Sequence, residues 1–486
     1  MKKEYIILFA IFLVTFGFQL FFSLQVSYFS SDDAYFSLRH AEYIQENFKP
    51  MIHDDMSYGG NYILNTHLWH YFLALIGFLP LIFMKIIPGL LASSVVFFVY
   101  LLSKQITGNK TAAMFGALIA AFVPTYIAIT LNQVSIYSIY VPLLLGLIYS
   151  LFEIKKRLTL FLILSFIIIL LDPMNFLMLL TLLVFMILVV AESLPVKKQI
   201  GESFFLFVLL MILVNLILFK DLYFSSGLEA LWQNMPDQLY ESFFKDFDVV
   251  SLTYNIGFLP LVLGFVGLGL SLATEKKNEV YLLSSMILAD VGLLALKLVP
   301  YDIGVMFLAI LLCIASTLTI NELIDYIKLT KAAKQVHWVI LVVTAVTLVS
   351  LVIPAIVNAE ATINDGVSAP EVEALTWIKD NTPESSVVLG NVFEGNLILE
   401  IAERTNVIDT QFLLAEDRYY DVELMYTTGS LYKAVVALNT YQVDYIYLSD
   451  STKEMFDIEE IIYVGDETCF ELVFENEEAL VYEKVC

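Results

Sequence analysis

Tyr5–Phe29, YIILFAIFLVTFGFQLFFSLQVSYF, runs without a single charge and breaks at once into Ser31-Asp32-Asp33-Ala34-Tyr35-Phe36-Ser37-Leu38-Arg39-His40-Ala41-Glu42-Tyr43. About 20 mostly apolar residues suffice to cross the hydrocarbon of a bilayer as a helix. This run is too long for the core of a secretory leader and lacks a small-residue cleavage site, so it is expected to remain as an anchor. The polar segment that follows it marks a membrane boundary.

Outward from this pair the apolar pattern recurs at Met84–Ser103, Thr111–Leu131, Tyr137–Phe152, Leu158–Leu171, Phe176–Ala191, Ser203–Phe219, Tyr254–Ala273, Val280–Lys297, Ile303–Ile320 and Trp338–Val357. The expectation is a polytopic α-helical membrane bundle of about eleven transmembrane helices. Composition agrees, at 59% hydrophobic and 16% charged with mean hydropathy +0.78. Such a chain needs lipid as its solvent.

Lysine and arginine fall on alternate connections: Lys2 and Lys3; Lys104 and Lys110; Lys155, Lys156 and Arg157; Lys197 and Lys198; Lys276 and Lys277; Lys328, Lys331 and Lys334. By the positive-inside rule these face the cytoplasm, which puts the N-terminus inside and the C-terminal residues outside. Two long loops then lie outside, 30–83 and 220–252. Within the first, His67–Leu79 is apolar with a wet His67/His70 side and reads as a helix lying at the membrane surface.

The charge of −24 is concentrated at the end of the chain. Glu360–Cys486 holds 27 acids and 6 bases, leaving only −3 for the rest. Nucleic acid and anionic lipid are therefore poor partners for this segment. The domain expectation is a transmembrane part over 1–358 and an extracytoplasmic acidic α/β domain over 359–486. After a polar linker at Ala359–Gly366, helices at Glu371–Asp380, Asn396–Arg404, Ala415–Tyr426 and Ser430–Thr440 alternate with strands at Ser386–Leu389, Asn406–Ile408 and Asp444–Leu448. Strands Cys469–Glu475 and Ala479–Lys484 close it as a hairpin, in a partly parallel sheet. The three cysteines imply no zinc site or disulfide framework, although an exterior location permits a Cys469–Cys486 bridge.

Chemistry is densest after the first span. Asp32 and Asp33 offer a general base, an acceptor-orienting carboxylate or a metal ligand, or they simply cap the following helix. His53, Asp54 and Asp55 are candidates to complete a shell with Asp33 for Mg²⁺ or Mn²⁺, whose hard oxygen preference they suit. A metal-independent site is the alternative. Arg39 and Lys297 are candidates for a lipid phosphate, against the plainer reading of Lys297 as a snorkelling helix-end lysine.

Asp33-Ala34-Tyr35-Phe36-Ser37-Leu38-Arg39-His40-Ala41-Glu42-Tyr43-Ile44 resembles the first outer-loop signature of GT-C membrane glycosyltransferases, and most of all that of the oligosaccharyltransferase catalytic subunit. Asp54-Asp55-Met56-Ser57-Tyr58-Gly59-Gly60 and Glu373-Ala374-Leu375-Thr376-Trp377-Ile378-Lys379-Asp380-Asn381-Thr382-Pro383 are similar to further segments of that family. Two departures stand out. Where the family carries its acceptor-reading WWDYG, this chain has Asn391-Val392-Phe393-Glu394-Gly395. Pro124-Thr125-Tyr126-Ile127 resembles the entry to its second carboxylate motif, but the following Thr130-Leu131-Asn132-Gln133-Val134-Ser135 has no acid.

The resemblance implies transfer of a sugar or glycan from a polyprenyl-(di)phosphate donor to a protein, glycan or lipid acceptor at the outer membrane face. Asp33, aided by Asp32 or by Asp54 and Asp55, would activate or orient the acceptor, and Arg39 or Lys297 would neutralise the leaving phosphate. The lost WWDYG argues against transfer to Asn-x-Ser/Thr. The alternative is a non-catalytic scaffold or lipid-linked-glycan binding protein; a transporter ranks last, since the spans hold almost no charge.

Overall fold

The computed structural model describes the chain except residues 1–2, 64, 196–197, 221–222, 225–226, 228–235, 247, 275–276, 332 and 412–415. Lys2, Lys197, Lys276 and the start of the Ala415–Tyr426 helix lie outside the described residues. The chain divides into two compact units. One comprises Met1–Val26, Leu81–Leu218 and Glu241–Ile363; the other comprises Ser27–Pro80, Phe219–Tyr240 and Asn364–Cys486.

The first unit is the helical bundle. Every one of the apolar runs is helical, because in lipid the backbone must satisfy its hydrogen bonds within the segment. By length and composition six described helices can cross a membrane, or up to eight if each bent pair is one span. The pairs are Lys110–Ala120 with Pro124–Thr130, bent by 51°, and Val249–Ile256 with Phe258–Thr274, bent by 94°. Tyr137–Phe152 and Phe176–Ala191 are apolar but shorter, and Ile154–Leu171 opens on three cations. The expected number of spans thus counts apolar helices rather than helices that each meet the length requirement. Tyr301–Lys328 is the most enclosed helix, and Phe258–Thr274 packs along it through Gly264 and Gly267. A Cβ at Gly267 would lie 2.7 Å from the carbonyl oxygen of Ala315, so only glycine lets these backbones meet. A single acid, Asp290, is buried inside the Asn278–Ala295 helix, without a hydrogen-bond partner among the described residues.

The second unit joins the first long loop to the C-terminal residues, whereas the sequence boundary at 358 assigned that loop to the bundle. The loop supplies a helix at Asp32–Asn47, a small hairpin of β1 (His53–Asp54) and β2 (Asn61–Tyr62), and a helix at Leu68–Ile76 inside the expected surface segment. The remainder builds β3 (Val387–Leu389), β4 (Thr405–Asn406), β5 (Tyr445–Ser449), β6 (Phe470–Glu475) and β7 (Ala479–Lys484). Their order is β4-β3-β5-β7-β6; β3 is parallel to both β4 and β5, and the β6/β7 hairpin is antiparallel. Leu389, Ile408, Tyr426, Leu438, Ile446 and Leu448 form the core, and Tyr58 of the loop is buried among them.

The expected linker at Ala359–Gly366 is instead the end of a helix running Val336–Asn364, whose Ala359 and Ile363 are buried. The next helix, Ala369–Asn381, starts at Ser368 with a capping box to Glu371 and Pro370 in its first turn.

Cys469 and Cys486 are bridged across the β6/β7 hairpin with a sequence separation of 17. Closing a loop of that size stabilises by about 3 kcal/mol. Cys469→Ser should lower the thermal midpoint of the purified chain, and reductant should bring the wild type down to the same value and leave the variant unmoved.

Candidate functional site

The helix that follows the first span starts at Ser31, whose hydroxyl accepts a bond from Ala34 N at 3.3 Å. Capping is therefore done by the serine, and the two aspartates are released for other contacts. Asp32 is buried and points at the C-terminal residues. Its Oδ2 accepts from Asn396 Nδ2 at 2.5 Å and its Oδ1 from Leu397 N at 3.0 Å. That backbone donor opens the turn Gly395–Leu397, so Asp32 fixes the start of another helix rather than its own. Burial raises its proton affinity well above the usual carboxylate range, against the donation from Asn396.

Asp33 is the exposed member of the pair, and its Oδ1 is approached by the Thr410 hydroxyl at 3.4 Å. Protein crowds the carboxylate although solvent reaches it. That crowding raises its proton affinity, with a smaller push from the nearby Asp409 charge and an opposing pull from Thr410. Asp409 follows β4 and is buried. It accepts from Ser57 Oγ at 2.6 Å, Asn406 Nδ2 at 3.1 Å and Gln411 N at 2.8 Å. Its backbone carbonyl takes the Tyr58 hydroxyl at 2.7 Å.

Tyr58 carries a left-handed backbone, φ 57°, which costs a non-glycine residue about 1 kcal/mol or more. Its buried ring, its N–H to Asn406 Oδ1 at 2.8 Å and its hydroxyl bond offset that strain. Arg418 lies 5.0 Å from the ring and donates to the Tyr58 carbonyl at 2.8 Å.

The expected metal set is not assembled. Asp54 is gripped by Arg39 through two bonds of 2.5 and 2.9 Å, and His53 pairs with the exposed Asp55 at 3.0 Å. Among the described residues no group of three or more His, Cys, Asp or Glu side chains could hold a metal ion. The physical reason is local: the arginine fork takes one lone-pair site on each Asp54 oxygen, and Met56 N takes a further one at 3.0 Å. The same bond commits Arg39, which lines a cleft of about 840 Å³ with Glu42, Glu46, Lys379 and Glu400. Lys297, in the other unit, is ion-paired with the exposed Asp246 at 3.0 Å. His40, His70 and His67 stand in a row, with ring centroids 5.1 and 5.9 Å apart, rather than converging on one point. Burial lowers the His40 pKa to about 4 and pushes those of His70 and His67 down as well.

Glu394, in the segment that replaces WWDYG, is withdrawn into the domain. It is bonded to Ser449 and, at 2.8 and 3.0 Å, to Thr452 Oγ1 and Asn391 N. Burial pushes its pKa up to about 7. The retained Gly395 has a steric cause: a Cβ there would stand 2.1 Å from the Ile408 carbonyl oxygen and 2.4 Å from Asp409 Cβ.

Sequence reading missed Asn396, Asn406, Asp409, Thr410 and Arg418, whose loop partners lie hundreds of positions away. One signal was available. Asp409 and Glu394 follow the carboxyl ends of the parallel strands β4 and β3, where open α/β sheets gather their ligands.

Gly395→Ala should force apart the Gly395 and Asp409 backbones and destabilise this unit by about 1–3 kcal/mol. Differential scanning of the purified chain reads that loss as a lowered midpoint, whereas Gly465→Ala, with open space around its Cβ position, should leave it unchanged.

No protein-family model and no curated protein matches the chain. Solved structures do. The archaeal oligosaccharyltransferase AglB from Archaeoglobus fulgidus, in complex with an inhibitory peptide and a dolichol-phosphate, superposes with a TM-score of 0.69 at 13% identity, covering 90% of this chain and 69% of that one. The oligosaccharyltransferase from the same organism in complex with Zn and sulfate gives 0.64 at 14% identity, covering 90% and 68%. ArnT from Cupriavidus metallidurans, bound to undecaprenyl phosphate, gives 0.60 at 9% identity, covering 100% and 99%. The chain has the fold of these archaeal oligosaccharyltransferase and ArnT structures.

Proposed function

We propose that the chain transfers a sugar or glycan from a polyprenyl-phosphate or polyprenyl-diphosphate donor to an acceptor at the outer face of the membrane. The observation that carries this reading is Asp33: it adjoins the first apolar helix, is relieved of capping by Ser31, remains exposed, and has a raised proton affinity. The neighbours support the donor class, since AglB is described with a dolichol-phosphate and ArnT with undecaprenyl phosphate. A lipid carrier whose tail stays in the bilayer suits a site at the end of a spanning helix.

In the proposed reaction Asp33 accepts the proton of an acceptor hydroxyl or amine. The acceptor atom bonds to the anomeric carbon as the bond from that carbon to the phosphate oxygen breaks. The electron pair leaves with the polyprenyl (di)phosphate. A raised proton affinity makes Asp33 a better base than an ordinary aspartate while leaving it ionised above its own pKa. Asp32 serves as the docking carboxylate that holds Asp33 against the C-terminal residues. Lys297, in the bundle unit, stands as a candidate cation for the lipid phosphate, and it is ion-paired with the exposed Asp246. Arg39 braces Asp54 in this scheme. No step is routed through a divalent ion, because the donors present do not form a shell for one.

Glu394 sits where the family reads its acceptor, and it is spent on Ser449 and Thr452. This supports an acceptor other than a glycosylation sequon. The tail is assigned to the extracytoplasmic side with the N-terminus inside, in keeping with the lysine pattern and with a Cys469–Cys486 bridge, which an oxidising exterior preserves. A second reading, a lipid-linked-glycan binding protein without transfer, is favoured by the unassembled metal set and the withdrawn Glu394.

The deciding experiment incubates membranes containing the chain with radiolabelled undecaprenyl- and dolichyl-phosphate sugars and follows label into non-lipid products. Wild type should transfer, and Asp33→Ala should fall by about 10²–10⁴-fold. Transfer undiminished in Asp33→Ala would remove Asp33 from catalysis, and donor binding without transfer by wild type would favour the second reading. Activity needs ionised Asp33, so it should be lost as pH falls through a midpoint above that of an ordinary aspartate. In the same assay Lys297→Met should raise the donor KM more than it lowers kcat.

A further inference from the structure

Asn396 has one side-chain amide and two hydrogens to give, and both are used toward the candidate site. Nδ2 donates to Asp32 Oδ2 at 2.5 Å and to Thr410 Oγ1 at 3.2 Å. With its oxygen occupied by that bond, the Thr410 hydroxyl turns its own hydrogen to Asp33 Oδ1. The three groups therefore form one directed chain, Asn396 to Thr410 to Asp33, with a side branch to Asp32. Its base is rigid. Asn396 is 2% exposed, and the preceding Asp409 is held by Ser57, Asn406 and Gln411 N. Gly395 allows the Asn396 and Asp409 segments to touch, since a side chain there has no room. Asp33 Oδ2 receives no donor from the described residues.

We infer that Asn396 and Thr410 are positioning residues that hold Asp33 through Oδ1 and leave Oδ2 as the oxygen presented to the acceptor. This rests on the proposed catalytic role of Asp33. The 3.4 Å separation is long for an O–H···O bond, as catalytic hydrogen bonds often are before substrate is bound. A hydrogen bond to the ionised carboxylate lowers its proton affinity, opposing the crowding and the Asp409 charge. Asn396 and Thr410 thus fix both the direction in which Asp33 points and the pH above which it is available as a base.

Thr410→Val keeps the β-branch and deletes the hydroxyl, while Thr410→Ser keeps the hydroxyl. In the transfer assay Thr410→Val should lower kcat by about tenfold with the donor KM unchanged, and should move the acid limb of the pH profile upward. Thr410→Ser should restore both. A purely structural role would lower activity equally at every pH and leave the limb in place, and that result would overturn the inference. An independent readout needs no substrate: a water-soluble carbodiimide labels protonated, accessible carboxyls, so the pH midpoint of Asp33 labelling, followed by peptide mass spectrometry, tracks its titration. Thr410→Val and Asn396→Leu should both raise that midpoint if the chain acts as described, and an unmoved midpoint in folded protein would reject it. The labelling result stands even if no donor is transferred, so loss of the catalytic reading and loss of the positioning chain are told apart.

Discussion

The candidate site depends on Asp409, whose carboxylate and backbone carbonyl gather the hydroxyls and amides around it. Ser57 and Tyr58 come from the first long loop, Asn406 from β4 and Gln411 from the turn after it. Each alone would be a polar group searching for a partner in a crowded interior. Together they satisfy one another, and burial of such a set is tolerated only when every member is paired. Because the same turn carries Thr410 and abuts Gly395, the placement of Asp32 and Asp33 against Asn396 follows from this junction.

This arrangement separates two tasks that adjacent aspartates could have shared. Asp32, two hydrogen bonds deep and buried, joins helix to turn. Asp33, one residue on, faces a different way, since successive residues of a helix are about 100° apart. The doubled acid is thus a joint and an exposed candidate group in sequence, and Ser31 makes the division possible by taking the capping role itself.

Much of the fold was legible in the amino-acid pattern. Apolar runs report helices directly, because lipid leaves the backbone no other means of pairing, and β7 was read to the residue from its alternation. The end of the last span was misread, because Ala359-Glu360-Ala361 looks polar enough to be a linker while being a good helix former. The site was legible only by half. Asp33 stood out by its position, but Asp32 could not be told from a cap until Ser31 was seen accepting from Ala34. The conditional metal set is not brought together, because Arg39 claims Asp54 in a through-space pairing that spacing in the chain does not encode. Asn396, Thr410 and Asp409 were hidden because their partners are separated from them by the entire bundle.

That separation has a consequence for how the molecule is made. The loop at Ser27–Pro80 is synthesised early, whereas the residues that complete its hydrogen bonds, Asn396 to Arg418, emerge only after every helix of the bundle. Through that interval Asp32, Ser57 and Tyr58 must rely on water, because their partners do not yet exist. The contacts are of very high sequence separation, which makes them the slow, late part of folding. A chain arrested before Asn396 can thus have its helices in the membrane and still carry no ordered carboxylate pair. Assembly of the candidate site therefore waits on residues synthesised long after its first carboxylates.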